Sequence, residues 1–138
     1  MTTALANGFT VTGIDHVVLR VTDLERSLDF YTRVLGCPVE RRRDDLGLVQ
    51  LRAGSSLIDL VPVSGVIGKR GGGAPAPDAP NMDHLCIRIA AFEAEAAREH
   101  LRRHGVEVES EGVRYGAGGD GMSFSIRDPE GNGIELRG

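Results

Sequence analysis

Met82-Asp83-His84-Leu85-Cys86-Ile87-Arg88-Ile89 repeats, almost residue for residue, the earlier stretch Ile14-Asp15-His16-Val17-Val18-Leu19-Arg20-Val21. Each copy opens on apolar-Asp-His, runs on in alternation, and carries an arginine four residues after the histidine, at Arg20 and Arg88. A helix-like segment ending in glycine follows each copy. Much later comes an apolar-acid-apolar triplet, Ile58-Asp59-Leu60 in the first half and Ile134-Glu135-Leu136 in the second. The histidines are 68 residues apart, so each unit is a supersecondary block too small to bury its own core and in need of its twin.

Read in order, residues 13–63 form one unit. Ile14 to Val21 alternates as a strand, with Ile14, His16, Val18 and Arg20 on one face and Val17, Leu19 and Val21 on the other. Thr22-Asp23-Leu24-Glu25 has the form of a capping box. The helix it opens has an apolar stripe in Leu24, Leu28, Tyr31 and Leu35, and Gly36 and Pro38 stop it. Three strands are expected near residues 39–43, 46–52 and 56–63. Residues 64–80, rich in glycine and proline, read as a linker. The second unit, residues 82–137, restarts the pattern with a strand to Ile89 and a helix from about Ala91 to His104. Strands follow near 106–112, 121–127 and 133–137. Met1 to Thr12 is a loose start, with Phe9 and Val11 as its possible anchors.

The histidine-to-acid spacing is 43 residues in the first half and 51 in the second. The extra residues are assigned to a loop from Tyr115 to Gly121. Gly116 to Gly121 matches GxGxxG in form, but a strand follows it where a dinucleotide fingerprint needs a helix, so that reading is rejected.

Composition bounds the function. The chain has 138 residues, a net charge of −4, 41% hydrophobic and 26% charged residues, ordinary for one globular domain. The acidic balance argues against a nucleic-acid partner despite Arg41-Arg42-Arg43. No apolar run reaches the length of a membrane span. Cys37 and Cys86 lie far apart without CxxC spacing, so free thiols in a reducing, cytoplasmic setting are expected.

The chemistry sits on equivalent positions of the two copies. His16 and His84 head equivalent strands; Asp59 and Glu135 alternate with buried neighbours and so face away from the helices. Ionisable groups on a half-buried face need partners, and two neutral imidazoles with one or two carboxylates suit a divalent metal. Cys86 shares the face of His84. His100 and His104 also have metal spacing, but their arginine and glutamate neighbours mark a solvated helix face.

Beyond these patterns the chain resembles a known family. Leu19-Arg20-Val21, Asp23-Leu24, Arg26-Ser27, Asp29-Phe30-Tyr31-Thr32 and Val34-Leu35-Gly36 are similar to the first strand and helix of bacterial glyoxalase I. Asp128-Pro129-Glu130-Gly131-Asn132-Gly133-Ile134-Glu135-Leu136 is similar to the closing motif of the vicinal-oxygen-chelate superfamily. That superfamily includes glyoxalase I, extradiol dioxygenases, fosfomycin-resistance enzymes and bleomycin-resistance proteins. The resemblance implies an α+β fold of two βαβββ modules whose sheets curl into a cup, often completed as a homodimer. It places the metal ligands on His16, His84 and Glu135, with Asp59 at a fourth position that glyoxalase I fills with glutamate. The cofactor implied is a divalent metal (Ni, Zn, Co, Mn or Fe) that chelates adjacent oxygens of a small-molecule substrate and stabilises an enediolate. In that reading Glu135 and Asp59 are the catalytic carboxylates, Arg20 or Arg88 holds an anionic substrate group, and Cys86 lines the cavity.

Two departures bear on the reaction. Ser125 stands where extradiol dioxygenases have a tyrosine, and Val63 where glyoxalase I has an asparagine that helps hold glutathione. The leading expectation is a glyoxalase-type, lactoylglutathione lyase-like enzyme. The alternatives are a dioxygenase-like or fosfomycin-resistance-like enzyme, or a metal-free binding protein of the bleomycin-resistance type.

Overall fold

A computed structural model describes residues 8–138. It contains two four-stranded sheets, one per repeat. The first holds β1 (His16–Val21), β2 (Val39–Arg43), β3 (Leu48–Ala53) and β4 (Ser56–Pro62), in the order β1-β4-β3-β2. The second holds β5 (His84–Arg88), β6 (Ser110–Gly116), β7 (Gly119–Arg127) and β8 (Gly133–Arg137), in the equivalent order β5-β8-β7-β6. In each, the first and last strands of the module pair in parallel and the remaining pairs are antiparallel. This is the α+β architecture of twin βαβββ modules that the repeat implies. No helix of the described residues is long and apolar enough to cross a membrane.

Alternation decides which side of each sheet is buried. Leu19, Val21, Val49, Leu51, Ile58 and Leu60 in the first sheet, with Phe124, Ile126, Ile134 and Leu136 in the second, turn inward to one shared core. Helix α1 (Leu24–Asp29) adds to it through a π-helical continuation, Phe30–Val34, whose Phe30, Tyr31 and Val34 are buried. The wider turn, closed by the Leu35 N–H donating to the Phe30 carbonyl at 3.1 Å, rotates the buried stripe. Leu24, Leu28 and Leu35 are left only half-buried. Helix α2 (Ala94–Arg103) contributes Leu101.

The helix starts differ from the sequence reading. Asp23, not Thr22, caps α1, its carboxylate accepting the Arg26 N–H at 3.1 Å. Thr22 is engaged elsewhere. Its backbone N–H and hydroxyl, with the Asp23 N–H, donate to the Glu130 carboxylate at 2.9–3.0 Å. A local pattern cannot compete with an acceptor that long-range folding delivers to the same orphan N–H groups. Helix α2 begins at Ala94 with Glu93 as its cap, three residues later than expected, because Ala91 takes a positive φ of 50°.

Glu130 belongs to a clasp between the modules. The buried Asp128 carboxylate accepts the Tyr31 hydroxyl at 2.6 Å, the Asn132 side-chain amide at 2.9 Å, and the Glu130 and Asn132 backbone N–H groups at 2.9 Å. His100 Nε2 lies 2.8 Å from the Val34 carbonyl, so His100 is a half-buried contact between helices. The solvated face expected for it and His104 is not found, since the first module packs there.

The linker is also more structured than its composition suggested. It contains a 3-10 turn, Gly68–Gly71, and is strapped to the first sheet by Arg20. The Arg20 guanidinium donates to the carbonyls of Gly68, Gly72 and Gly73 at 2.8, 2.7 and 2.9 Å. The Tyr115–Gly121 loop does not exist as a loop. The extra residues of the second repeat lengthen β6 and β7 into a hairpin paired as far as Gly116 with Gly119. At the amino-terminal end, Phe9 and Val11 are 68% and 75% exposed and lie outside the buried core; residues 1–7 lie outside the described range.

Candidate functional site

The side of each sheet turned away from the core carries the polar residues singled out by the repeat. Register places Val18 beside Asp59 and Asp59 beside Gln50 in the first sheet. In the second it places Cys86 beside Glu135 and Glu135 beside Ser125. Directly paired residues share a face, so each module presents a histidine and a carboxylate together.

In the second module the pair is in contact. His84 Nε2 lies 3.4 Å from Glu135 Oε1, while Glu135 Oε2 accepts the Ser123 hydroxyl at 2.6 Å. The His84 side chain is half exposed and Glu135 mostly buried, at 50% and 17%. In the first module Asp59 is buried and accepts the Gln50 side-chain amide at 3.2 and 3.3 Å. The negative charge of Asp59 is felt at His16, whose pKa is raised chiefly by its hydrogen bond to Asp15 and then by Asp59.

Both histidines share a feature that explains the Asp-His dipeptide. His16 Nδ1 is 2.7 Å from Asp15 Oδ1, and His84 Nδ1 is 2.5 Å from Asp83 Oδ2. A carboxylate at Nδ1 favours the proton there and leaves Nε2 with its lone pair, which is the tautomer a metal requires. In the sequence these aspartates stand only as members of the repeat, with nothing local to mark this role. The signal was the identical dipeptide in both copies.

The two half-sites do not meet within one chain. No group of three His, Cys, Asp or Glu side chains able to hold a metal forms among the described residues. His84 joins Glu135, and His16 lies near Asp59, but the set His16, His84 and Glu135 is not brought together. The donor chemistry of each half still fits a divalent cation, with one Nε2 lone pair and one carboxylate on a common face.

The remaining candidates divide. Arg20 spends its guanidinium on the linker carbonyls. Arg88 is exposed on β5 and makes no hydrogen bond or ion pair with the described residues, so it stays open to a ligand. Cys86 is an exposed free thiol between His84 and Arg88, its pKa raised first by partial burial and then by Glu135. Cys37, the other thiol, is buried, and burial raises its pKa too.

Residues 13–136 match the model of the Glyoxalase/Bleomycin resistance protein/Dioxygenase superfamily. The chain belongs to that superfamily. It is 35% identical over 127 residues to the glyoxalase domain-containing protein RDO1 of Mycosarcoma maydis, covering 91% of this chain and 68% of that one. It is 32% identical over 129 residues to the lactoylglutathione lyase of Escherichia coli O157:H7, covering 88% of each. Another relative is named for a different reaction, the human mitochondrial methylmalonyl-CoA epimerase, at 26% identity over 122 residues. Among solved structures, an integron cassette protein from V. cholerae superposes with a TM-score of 0.78 at 28% identity, over 94% of this chain and 96% of that one. Members of the superfamily include lyases and epimerases and bind small molecules.

Proposed function

We propose that this chain is a divalent-metal-dependent enzyme of the glyoxalase type, working as a homodimer in which each site takes His16 and Asp59 from one copy and His84 and Glu135 from the other. The observation that carries the reading is the doubled half-site: imidazole and carboxylate on a common face in each module, each imidazole fixed by a neighbouring aspartate, and neither half complete alone. Exposed apolar side chains suit a second copy. Val113, Tyr115 and Met122 lie on one face of the β6–β7 hairpin, and Val18 on the polar face of β1.

His16, His84 and Glu135 would hold the cation, which supplies Lewis-acid polarisation of two adjacent substrate oxygens. The chain's own groups then account for proton transfer. Glu135 lies at hydrogen-bond distance from Ser123, so it has a partner when it gives up or takes a proton. Asp59, one methylene shorter and held by the Gln50 amide, is the alternative base. Arg88 supplies positive charge for an anionic group of the substrate, and Cys86 lines the floor between. Removal of a proton beside a carbonyl is the common step of a glyoxalase-type reaction. The lyase name of the Escherichia coli relative supports that class. Ring cleavage is less well supported. Ser125 stands beside Glu135 where a phenol would serve, while Tyr31 is buried against Asp128 and Tyr115 faces away.

Subunit complementation tests the proposal. His16→Ala and His84→Ala chains should each lose metal, and a mixture refolded together should regain metal in mixed dimers, one intact site per dimer. A mixture that regains nothing, although mixed dimers form, would refute the shared site.

A further inference from the structure

Arg137 is the most deeply buried arginine among the described residues, at 5% exposure, and it forms no ion pair with an aspartate or glutamate there. Its side chain lies on the same face as Glu135, two residues further along β8. In register it sits beside Arg88 on β5 and Ser123 on β7. Nε donates to a main-chain oxygen of Gly138 at 3.3 Å, Nη1 to the Arg114 carbonyl at 3.4 Å, and Nη2 to the Gly119 carbonyl at 2.7 Å. A guanidinium has five N–H groups. Those three bonds, two of them long and all to main-chain oxygens, leave one N–H on each Nη without an acceptor. A desolvated cation is costly unless it is paired with an anion.

The glycines of the β6–β7 hairpin are arranged around this group. A Cβ at Gly116 would overlap Nη1 of Arg137, and one at Gly121 would stand 2.6 Å from Nη2. A Cβ at Gly118 would be 3.5 Å from Nη2 of Arg88. The hairpin tip therefore curls across the face to both arginines, and the glycine pattern has a use unrelated to dinucleotides. Two guanidiniums side by side repel, and neither forms an ion pair with an aspartate or glutamate among the described residues.

We propose that Arg88 and Arg137, roofed by the Gly116–Gly121 hairpin, form an oxyanion subsite that receives a carboxylate or phosphate group of the substrate. The inference rests on the site proposed above and narrows its substrate class. Two strand residues span about 7 Å, so the anionic group sits about 7 Å along the strands from the His84–Glu135 pair. The substrate class is a small molecule with two adjacent oxygens at one end and an oxyanion a few bonds away, short enough to lie over Cys86.

The test uses the full chain stripped of metal with EDTA, so that its outcome is independent of the metal reading. Backbone amides of residues 116–121 and the arginine Nε–H signals are followed by NMR while inorganic phosphate, or separately acetate, is added. The expected result is saturable perturbation of those signals by at least one of the two probes, weakened at least tenfold in Arg88→Gln. The Arg88 side chain makes no hydrogen bond or ion pair among the described residues, so this variant should remain folded. Arg137→Lys, which keeps the charge but loses the planar fork, should weaken binding as well. Response to phosphate alone assigns a phosphorylated substrate, and response to acetate alone a carboxylate. No response to either probe, or undiminished binding in folded Arg88→Gln, overturns the subsite while leaving the metal site to its own complementation test.

Discussion

Replacing Tyr31 with phenylalanine removes one oxygen from the clasp that joins the modules. Tyr31 is fully buried, and its hydroxyl donates to Asp128 Oδ2 at 2.6 Å. Burial and the Asp128 charge hold the phenol well above its ordinary range, so it remains a donor throughout the accessible pH range. A hydrogen bond to a buried carboxylate contributes about 1.5–3 kcal/mol. Asp128 keeps its three other donors, so the loss should fall near the lower end, about 2 kcal/mol. For a chain of this size that is roughly 6–8 °C in Tm. Urea unfolding should show a lower midpoint with an unchanged slope. The pH dependence carries a second signature. The folded-state pKa is raised, so the contribution of Tyr31 is fully present below the unfolded value of about 10 and is lost as pH rises above it. There the unfolded chain releases a proton that the folded one keeps, at about 1.4 kcal/mol per pH unit. Tyr31→Phe should abolish that part of the alkaline destabilisation. Tyr115→Phe, at an 83% exposed position, should change neither property. A Tyr31→Phe variant within 0.5 kcal/mol of the parent, with the same alkaline slope, would refute the clasp as an energetic link.

Four further outcomes follow. Asp128→Ala, which strands the Tyr31 hydroxyl and two backbone N–H groups at once, should cost about 3–5 kcal/mol, more than Tyr31→Phe, by the same urea titration. His84→Ala should abolish binding of the roughly one divalent cation expected per chain while circular dichroism stays unchanged; full metal occupancy in that variant would remove His84 from the ligand set. Asp59→Asn should retain metal and lose most turnover, because the Gln50 amide can hold the asparagine carbonyl while the base is gone; loss of metal would instead make Asp59 a ligand. Gly68→Ala, whose Cβ would run into the Pro62 carbonyl, should cost about 1–3 kcal/mol and expose the linker to limited proteolysis at lower protease concentrations, since the carbonyl that accepts Arg20 Nε moves.

Both module patterns were legible in the sequence because alternation and repetition are local properties. His16-to-Val21 and His84-to-Ile89 could be assigned faces by counting, and the face separating His84, Cys86 and Arg88 from Leu85 and Ile87 is the one observed. What could not be read was where long-range partners would compete with local ones. The Thr22 capping box lost to Glu130, which is distant in sequence. The solvated reading of His100 lost to the Val34 carbonyl of the other module. The helical stripe was displaced by a π turn that no spacing rule contains.

Arginine roles were the least legible, because the repeat makes Arg20 and Arg88 equivalent while the surroundings make them different. Arg20 meets a glycine-rich linker whose carbonyls take up its fork. Arg88 meets a hairpin tip that comes close without bonding it, beside a second guanidinium that the sequence pattern hid as an ordinary C-terminal charge. The glycines are the clue that links the two cases. In each module a glycine-rich segment lies against an arginine on the polar face, with Gly71 at Arg20 and Gly116 and Gly121 at Arg137, where any Cβ would collide with the guanidinium. Glycine clusters that look like loops or nucleotide motifs in the sequence are here the imprint of arginine side chains lying flat beneath them. The first module fills its arginine from within the chain. The second leaves N–H groups without an acceptor, and under the proposed subsite that asymmetry between duplicated halves would direct the substrate's anionic end to the His84–Glu135 side of the site.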